Sequence, residues 1–178
     1  MKMLVLHCVM AAVLVGAYQA RPRIAPERAP SDLEIAAAKE PGPRLRVELQ
    51  IVGPDGKPIP RASVYVYQTD ARGYYTPEDA RADRNARLHG WLRSDAEGRI
   101  LVRTVRPGSY PGTRNPEHVH FIVNATGLAE RVFEIVFDDD PLVVGQVRDL
   151  AVGEANGFML CKPRRNAEAQ LCRQVVRL

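Results

Sequence analysis

The 178-residue chain has few cysteines, one tryptophan and a single long apolar run, at its start. It shows no internal repeat, no low-complexity tract and no cluster of basic residues interleaved with aromatics. The missing basic cluster argues against nucleic acid as a partner. The apolar run, Leu4 to Ala17, is too short for a membrane span and is broken by His7. It follows Lys2 and ends in Val15-Gly16-Ala17 and Tyr18-Gln19-Ala20, so residues 1–20 read as a secretory signal peptide, with a retained N-terminal anchor as the alternative. Its removal implies a secreted or periplasmic protein with no stable membrane insertion. The formal net charge of +4 falls by one with the loss of Lys2. The remaining basicity comes from scattered arginines, which suits solubility and an anionic aromatic ligand.

Export decides how the cysteines are read. Cys8 would leave with the signal peptide, and Cys161 and Cys172 remain as an even pair. In an oxidising compartment they are expected to form a disulfide closing the Lys162 to Leu171 loop and holding a loose tail, worth about 2 to 3 kcal/mol. Two buried free thiols are the alternative.

Residues 21–44 form an arm with prolines at 22, 26, 30, 41 and 43. Within it Ser31-Asp32-Leu33-Glu34 has the spacing of a capping box and predicts a short helix ending by Lys39 or Glu40. From Leu45 the pattern changes to short alternating strands: Leu45 to Val52, a turn at Pro54-Asp55-Gly56, then Ala62 to Thr69. Thr76-Pro77-Glu78-Asp79 looks like a helix start, whereas Ser94-Asp95-Ala96-Glu97 runs into Gly98 and reads as a hairpin turn. Further strands are expected near Arg99 to Val105, His118 to Asn124, Val132 to Phe137 and Phe158 to Cys161. Residues 45–178 thus predict an all-β, antiparallel β-sandwich preceded by a short helical arm.

The candidate chemistry lies in His118-Val119-His120. Two residues apart on a strand, the imidazoles share a face and can reach one metal ion. The following Phe121-Ile122-Val123 supports a strand, and Glu117 would point to the other face. Imidazole suits zinc, copper, iron and nickel alike, so the pair alone does not choose a metal, and such pairs are often ordinary half-buried residues. Phenolates narrow the choice, because a hard cation such as Fe(III) can hold tyrosine ionised near neutral pH despite a free pKa of about 10. Tyr75 and Tyr110 are the candidates, while Tyr65, Tyr67 and Tyr74 read equally well as sheet and interface residues. Gly112 with His118-Val119-His120 matches the opening of the cupin metal motif, but the glutamate that motif then needs falls on Asn124 or Ala125. That counts against a cupin.

Order and context add more. The stretch Ala62 to Tyr75, with Tyr65-Val66-Tyr67-Gln68-Thr69-Asp70-Ala71-Arg72-Gly73-Tyr74-Tyr75, resembles the V-x-I-W-Q-x-D-x-x-G-x-Y segment of the intradiol ring-cleavage dioxygenases. Ser94 to Ile100 followed by Arg103-Thr104-Val105-Arg106-Pro107-Gly108-Ser109-Tyr110-Pro111 is similar to that family's T-D-x-x-G-x-(Y/F)-x-F-x-T-I-x-P-G-x-Y-P. Pro116 to Phe121 resembles P-A-H-I-H-F, and Phe137 to Pro141 resembles Y-F-x-G-D-P. The resemblance runs from about Leu45 to Pro141.

It implies non-haem Fe(III) held by Tyr75, Tyr110, His118, His120 and a hydroxide. A catechol-type substrate and O2 would be the small-molecule partners. Catechol would bind through both oxygens, passing its protons to the hydroxide and to Tyr110, and the ring would open between the two hydroxylated carbons to a muconate-type diacid. By the same resemblance Tyr75 and His118 are lasting ligands, Tyr110 yields, and His120 lies opposite it.

Two positions depart from the pattern. The family's arginine three residues before the first histidine falls on Asn115, leaving Arg114, one position earlier, as the candidate catalytic replacement. The family's glutamine in T-Q-L-Y-F falls on Glu134, and a carboxylate there should either disfavour a dianionic substrate or pair with a nearby cation. A non-catalytic β-sandwich, a transthyretin-like carrier or a module binding carbohydrate or aromatic ligands, is the second reading. Homo-oligomerisation stays open.

Overall fold

Period-two alternation of apolar residues dictates the architecture, because it gives each strand one face to bury. The computed structural model describes residues 24–77, 79–152 and 157–178. The expected signal peptide, residues 1–20, lies outside them. Among the described residues ten strands follow in chain order: β1 Asp32–Glu34, β2 Arg44–Val52, β3 Ser63–Gln68, β4 Leu88–Arg93, β5 Arg99–Val105, β6 His118–Asn124, β7 Arg131–Phe137, β8 Phe158–Cys161, β9 Arg164–Arg165 and β10 Gln170–Arg177. Among the described residues a 3-10 turn spans Asp83–Asn85 and one helix, α1, spans Gly145–Val152.

The strands form two five-stranded sheets, ordered β1-β5-β2-β10-β9 and β4-β3-β6-β7-β8. Leu45, Val47, Leu49 and Ile51 of β2 and Ile100 and Val102 of β5 meet Val64, Val66, Val119, Phe121, Phe133 and Ile135 from the other sheet in one core. Phe121 and Phe133 stack across β6 and β7, ring centroids 5.2 Å apart. The all-β sandwich expected from the alternation is therefore the observed fold. On the outer face of the second sheet, Val143 and Ala151 pack with Val136, Phe158 and Leu160. No helix among the described residues is long and apolar enough to cross a membrane.

Four details correct the expectation. First, the sheets are mixed rather than antiparallel: β1 with β5, β10 with β2 and β7 with β8 run parallel. The last pair is allowed by a crossover that contains α1. Second, the arm holds no helix at Ser31 to Glu40. Leu33 and Ile35 pack against the core, Leu33 fills the space that a Cβ on Gly90 would occupy, and the backbone pairs with the free edge of β5 through Leu101 N–H to Ser31 O and Ile35 N–H to Arg103 O. Burial and edge pairing outweigh a capping signal worth about 1 kcal/mol. Third, Thr76 and Asp79 close a turn rather than a helix, and Glu78 of that motif lies outside the described residues. Fourth, the C-terminal segment is no loose tail: β10 lies between β2 and β9.

Cys161 on β8 and Cys172 on β10 are joined by a disulfide, Cα atoms 5.9 Å apart. It staples one sheet to the other from within the core. Replacing both cysteines by alanine is expected to lower stability by about 3 kcal/mol, read as the shift in the denaturant unfolding midpoint. Mass spectrometry of unreduced protein that found Cys161 and Cys172 as free thiols would remove the basis for that value.

Candidate metal centre

Two loops and one strand build the site. Tyr75 lies in the loop after β3 and Tyr110 in the loop after β5, so the two phenols come from opposite sheets. What brings them together is a close approach of backbone to backbone. A Cβ on Gly73 would stand 1.9 Å from the carbonyl oxygen of Ser109, and Gly73 has φ +88°, a region that favours glycine. A Cβ on Gly108 would stand 2.5 Å from the carbonyl of Ala71. Hydrogen bonds stitch the loops: Gly108 N–H to Asp70 O at 2.8 Å and Thr69 Oγ1 to Gly108 O at 2.9 Å. The Asp70 carboxylate accepts from the backbone N–H groups of Arg72 and Tyr74 and from the Arg72 guanidinium, and this fixes the turn that delivers Tyr75.

His118 and His120 stand together on the outer face of β6, while Val119 and Phe121 face the core. His118 Nδ1 lies 2.7 Å from the carbonyl of Pro116. Since a carbonyl only accepts, that nitrogen carries the hydrogen and Nε2 carries a lone pair. His120 is held on its flat side by Tyr67, stacked at 4.3 Å with 6° between the planes, and at its Nδ1 edge by Glu134 Oε1 at 3.2 Å. Glu134 sits directly opposite on β7.

All four expected site atoms converge. Tyr75 Oη is 2.5 Å from Tyr110 Oη and 2.7 Å from His120 Nε2. Tyr110 Oη is 2.9 Å from His118 Nε2 and 3.4 Å from His120 Nε2, and the two Nε2 atoms are 3.0 Å apart. With both imidazole hydrogens on Nδ1, only the two phenol hydrogens remain to serve these contacts. The facing Nε2 lone pairs then have no hydrogen between them. A cation in their midst resolves that crowding, so the donor set fits a metal ion, and two phenol oxygens favour a hard, highly charged one.

Electrostatics point the same way. Burial pushes the Tyr75 phenol well above its ordinary value, reinforced by the Tyr110 hydrogen bond, and burial likewise raises Tyr110. Burial pulls His118 down, with the like charge of His120 adding to it. Burial opposes ionisation of Glu134, yet its pairing with His120 holds the carboxyl below the usual range. His118, His120 and Glu134 also form a close trio of metal-ligating groups. Glu134 reaches the opposite edge of the His120 ring from the phenols, so the tighter O2N2 set is the better ligand group.

Arg114 and Asn115 are exposed on the rim between Tyr110 and β6. Thr113 N–H bonds back to Tyr110 O, and Asn115 N–H bonds to Thr113 Oγ1. Sequence reasoning missed what fastens the start of β6. The buried Arg106 guanidinium donates to Glu117 at 2.6 Å, Asp139 at 2.8 Å and Gln170 at 2.8 Å, and lies 3.8 Å over the Phe137 ring. Burial pushes the Glu117 carboxyl up against the pull of Arg106; Asp139, more open to solvent, is held below the usual range against its partial desolvation by the hydrogen bonds it accepts from Arg106 and Arg165. Glu117 N–H in turn donates to Asp140. The Glu134 partner was legible in principle, since His120 and Glu134 are equidistant from the turn glycine Gly127. An open groove lined by Glu48, Gln50, Arg99 and Arg173 lies on the other sheet and contains none of these groups.

A family model for dioxygenases, Dioxygenase_C, matches residues 17–175. The chain belongs to the intradiol dioxygenase family. Among curated relatives of this intradiol family member, the protocatechuate 3,4-dioxygenase beta chain of Burkholderia cepacia is 33% identical over 112 residues, 57% of this chain and 48% of that one. Catechol 1,2-dioxygenase 1 of Acinetobacter lwoffii is 29% identical over 133 residues, 64% and 42% of the two chains. The chain thus spans about half the length of the curated relatives it matches. The dioxygenase domain of a dioxygenase carbohydrate-binding protein fusion from Streptomyces sp. SirexAA-E superposes with TM-score 0.65 at 21% identity, covering 90% of this chain and 94% of that one. Catechol 1,2-dioxygenase from Pseudomonas arvilla C-1 gives TM-score 0.67 at 21% identity, over 84% and 57%. These two likenesses concern the intradiol fold.

Alanine at Gly73 or at Gly108 is expected to push the two tyrosine loops apart. Each variant should keep the sheet signal in far-ultraviolet circular dichroism but bind ferric iron at least 10-fold more weakly than the parent. Unchanged iron affinity in both would show that the loop contact does not set the site.

Proposed function

We propose that this chain is an intradiol dioxygenase that uses non-haem Fe(III), held by Tyr75, Tyr110, His118 and His120, and O2 to open a catechol-type ring to a muconate-type diacid. The observation that carries this reading is the convergence of two phenol oxygens and two imidazole Nε2 atoms within 2.5 to 3.4 Å. Bound there, ferric iron would supply Lewis acidity and draw electron density from the catecholate, readying the ring carbon for O2.

The protein's own groups divide the work. Tyr75 is 2% exposed and tied into the Asp70 turn, which suits a lasting ligand, as does His118 with its Pro116 anchor. Tyr110 is less deeply buried, beside the exposed 111–115 rim, so its phenol is the one placed to leave and to take a catechol proton. Arg114 on that rim is the cation proposed to steady the anionic substrate. Both atoms of O2 enter the diacid, so one O2 is consumed per ring opened.

Support for an extracytoplasmic location comes from the Cys161–Cys172 disulfide and the leader-like residues 1–20. N-terminal sequencing of protein recovered from the medium or periplasm is expected to begin at Arg21. Recovery of an unprocessed chain from the cytoplasm alone would contradict it.

The functional reading is tested by loading the protein with ferric iron and following its visible spectrum and its oxygen uptake with catechol, protocatechuate and hydroxyquinol. A red-brown tyrosinate charge-transfer band that shifts on adding a substrate, with O2 consumed, is expected. Tyr110→Phe should lower turnover about 100-fold or more, and Arg114→Ala about 100-fold. A colourless, iron-free protein from iron-replete cells would overturn the iron site. A coloured protein inert toward every catechol would leave a binding function, and an Arg114→Ala variant as active as the parent would remove Arg114 from the mechanism.

A further inference from the structure

Glu134 is an acid in direct contact with one of the four converging side chains, and it stands where the resembled family has a neutral amide. Its Oε1 is 3.2 Å from Nδ1 of His120, in direct cross-strand register. The other histidine has no such partner: His118 Nδ1 gives its hydrogen to the neutral carbonyl of Pro116. The two imidazoles are therefore unequal. One is backed by a dipole and the other by a full charge that is two-thirds shielded from solvent.

The ring of His120 is also clamped from two directions. Tyr67 covers its face at 4.3 Å and Glu134 holds its edge, which leaves Nε2 aimed at the phenols. The backbone that carries Glu134 is fixed, because Phe133 and Ile135 on either side are locked in the core at 1% and 0% exposure. A carboxylate on the far nitrogen of a ligating imidazole fixes its tautomer and raises its basicity as a donor.

We propose that Glu134 is a positioning residue that acts through His120, making this imidazole the stronger of the two nitrogen donors to ferric iron. The inference rests on the iron reading above. Electron density pushed through His120 lowers the Lewis acidity of the ion, and the added negative charge nearby favours the ferric state. The expected signature is a tyrosinate charge-transfer band at higher energy, and a lower reduction potential, than an amide partner would give.

The test compares the parent with Glu134→Gln and Glu134→Ala, using ferric iron as the probe, chelator competition for affinity, and spectroelectrochemistry. Circular dichroism verifies folding. Glu134→Gln preserves an acceptor for Nδ1–H but removes the charge. It should keep iron within a few-fold of the parent while the band moves to the red and the potential rises. Glu134→Ala should lose about 10- to 100-fold in iron affinity. Parent-like affinity, band and potential in both variants would overturn the proposal and leave the iron site standing. Complete loss of iron in a folded Glu134→Gln would overturn it differently, by making Glu134 a direct ligand. A parent without the band would overturn the iron reading and this inference with it.

Discussion

The contact on which the site depends is between two stretches of bare backbone. Gly73 lies against the carbonyl of Ser109 and Gly108 against the carbonyl of Ala71, at distances no Cβ could share. Because β3 and β5 belong to different sheets, nothing in either sheet's own pairing would bring Tyr75 and Tyr110 together. The glycine contact does so, and Asp70 holds it, accepting from its own turn through its carboxylate and from Gly108 through its carbonyl. Sandwich closure thus fixes the phenol pair, while a single strand fixes the imidazole pair.

Convergence has an electrostatic cost. Four polar atoms face one another with two hydrogens among them, and burial favours the neutral form of both phenols. The surrounding structure makes that arrangement persist by overdetermining each ring. Pro116 and the Arg106 network hold the start of β6, Tyr67 and Glu134 hold His120, and the Asp70 turn holds Tyr75. A preformed set of this kind spares a bound ion the ordering of its ligands.

The strands read well from the sequence where alternation was uninterrupted: Arg99–Val105, His118–Asn124 and Phe158–Cys161 have the expected bounds. Two other regions were obscured by local signals of the wrong kind. Ser31 to Glu34 carries a capping pattern, but its fate is set by the β5 edge and by the gap over Gly90. β10 carries Arg173, Gln174 and Arg177 among its apolar residues and shows its inward face only through Cys172 and Val176. The four converging side chains were legible as a group because each sits in a motif of fixed spacing. Their supports were not, because Arg106, Gln170 and Asp139 are far apart in sequence and meet only through the fold.

The division of labour along β6 and β7 explains how the residue behind His120 can differ without loss of the fold. On β6, Val119 and Phe121 face the core while His118 and His120 face outward; on β7, Phe133 and Ile135 face the core while Glu134 faces outward. The period of two keeps the packing residues and the chemical residues on opposite sides of the same sheet. A carboxylate at position 134 therefore leaves the apolar contacts intact while it touches His120 and lends its charge to the neighbouring His118 and Tyr110. The backbone that carries these residues is shared, so the register that buries Phe121 against Phe133 is also what sets Glu134 opposite His120. A one-residue slip would expose the core and dismantle the site together. Stability of the sandwich and geometry of the donor set are thus enforced by the same hydrogen-bonded pairing.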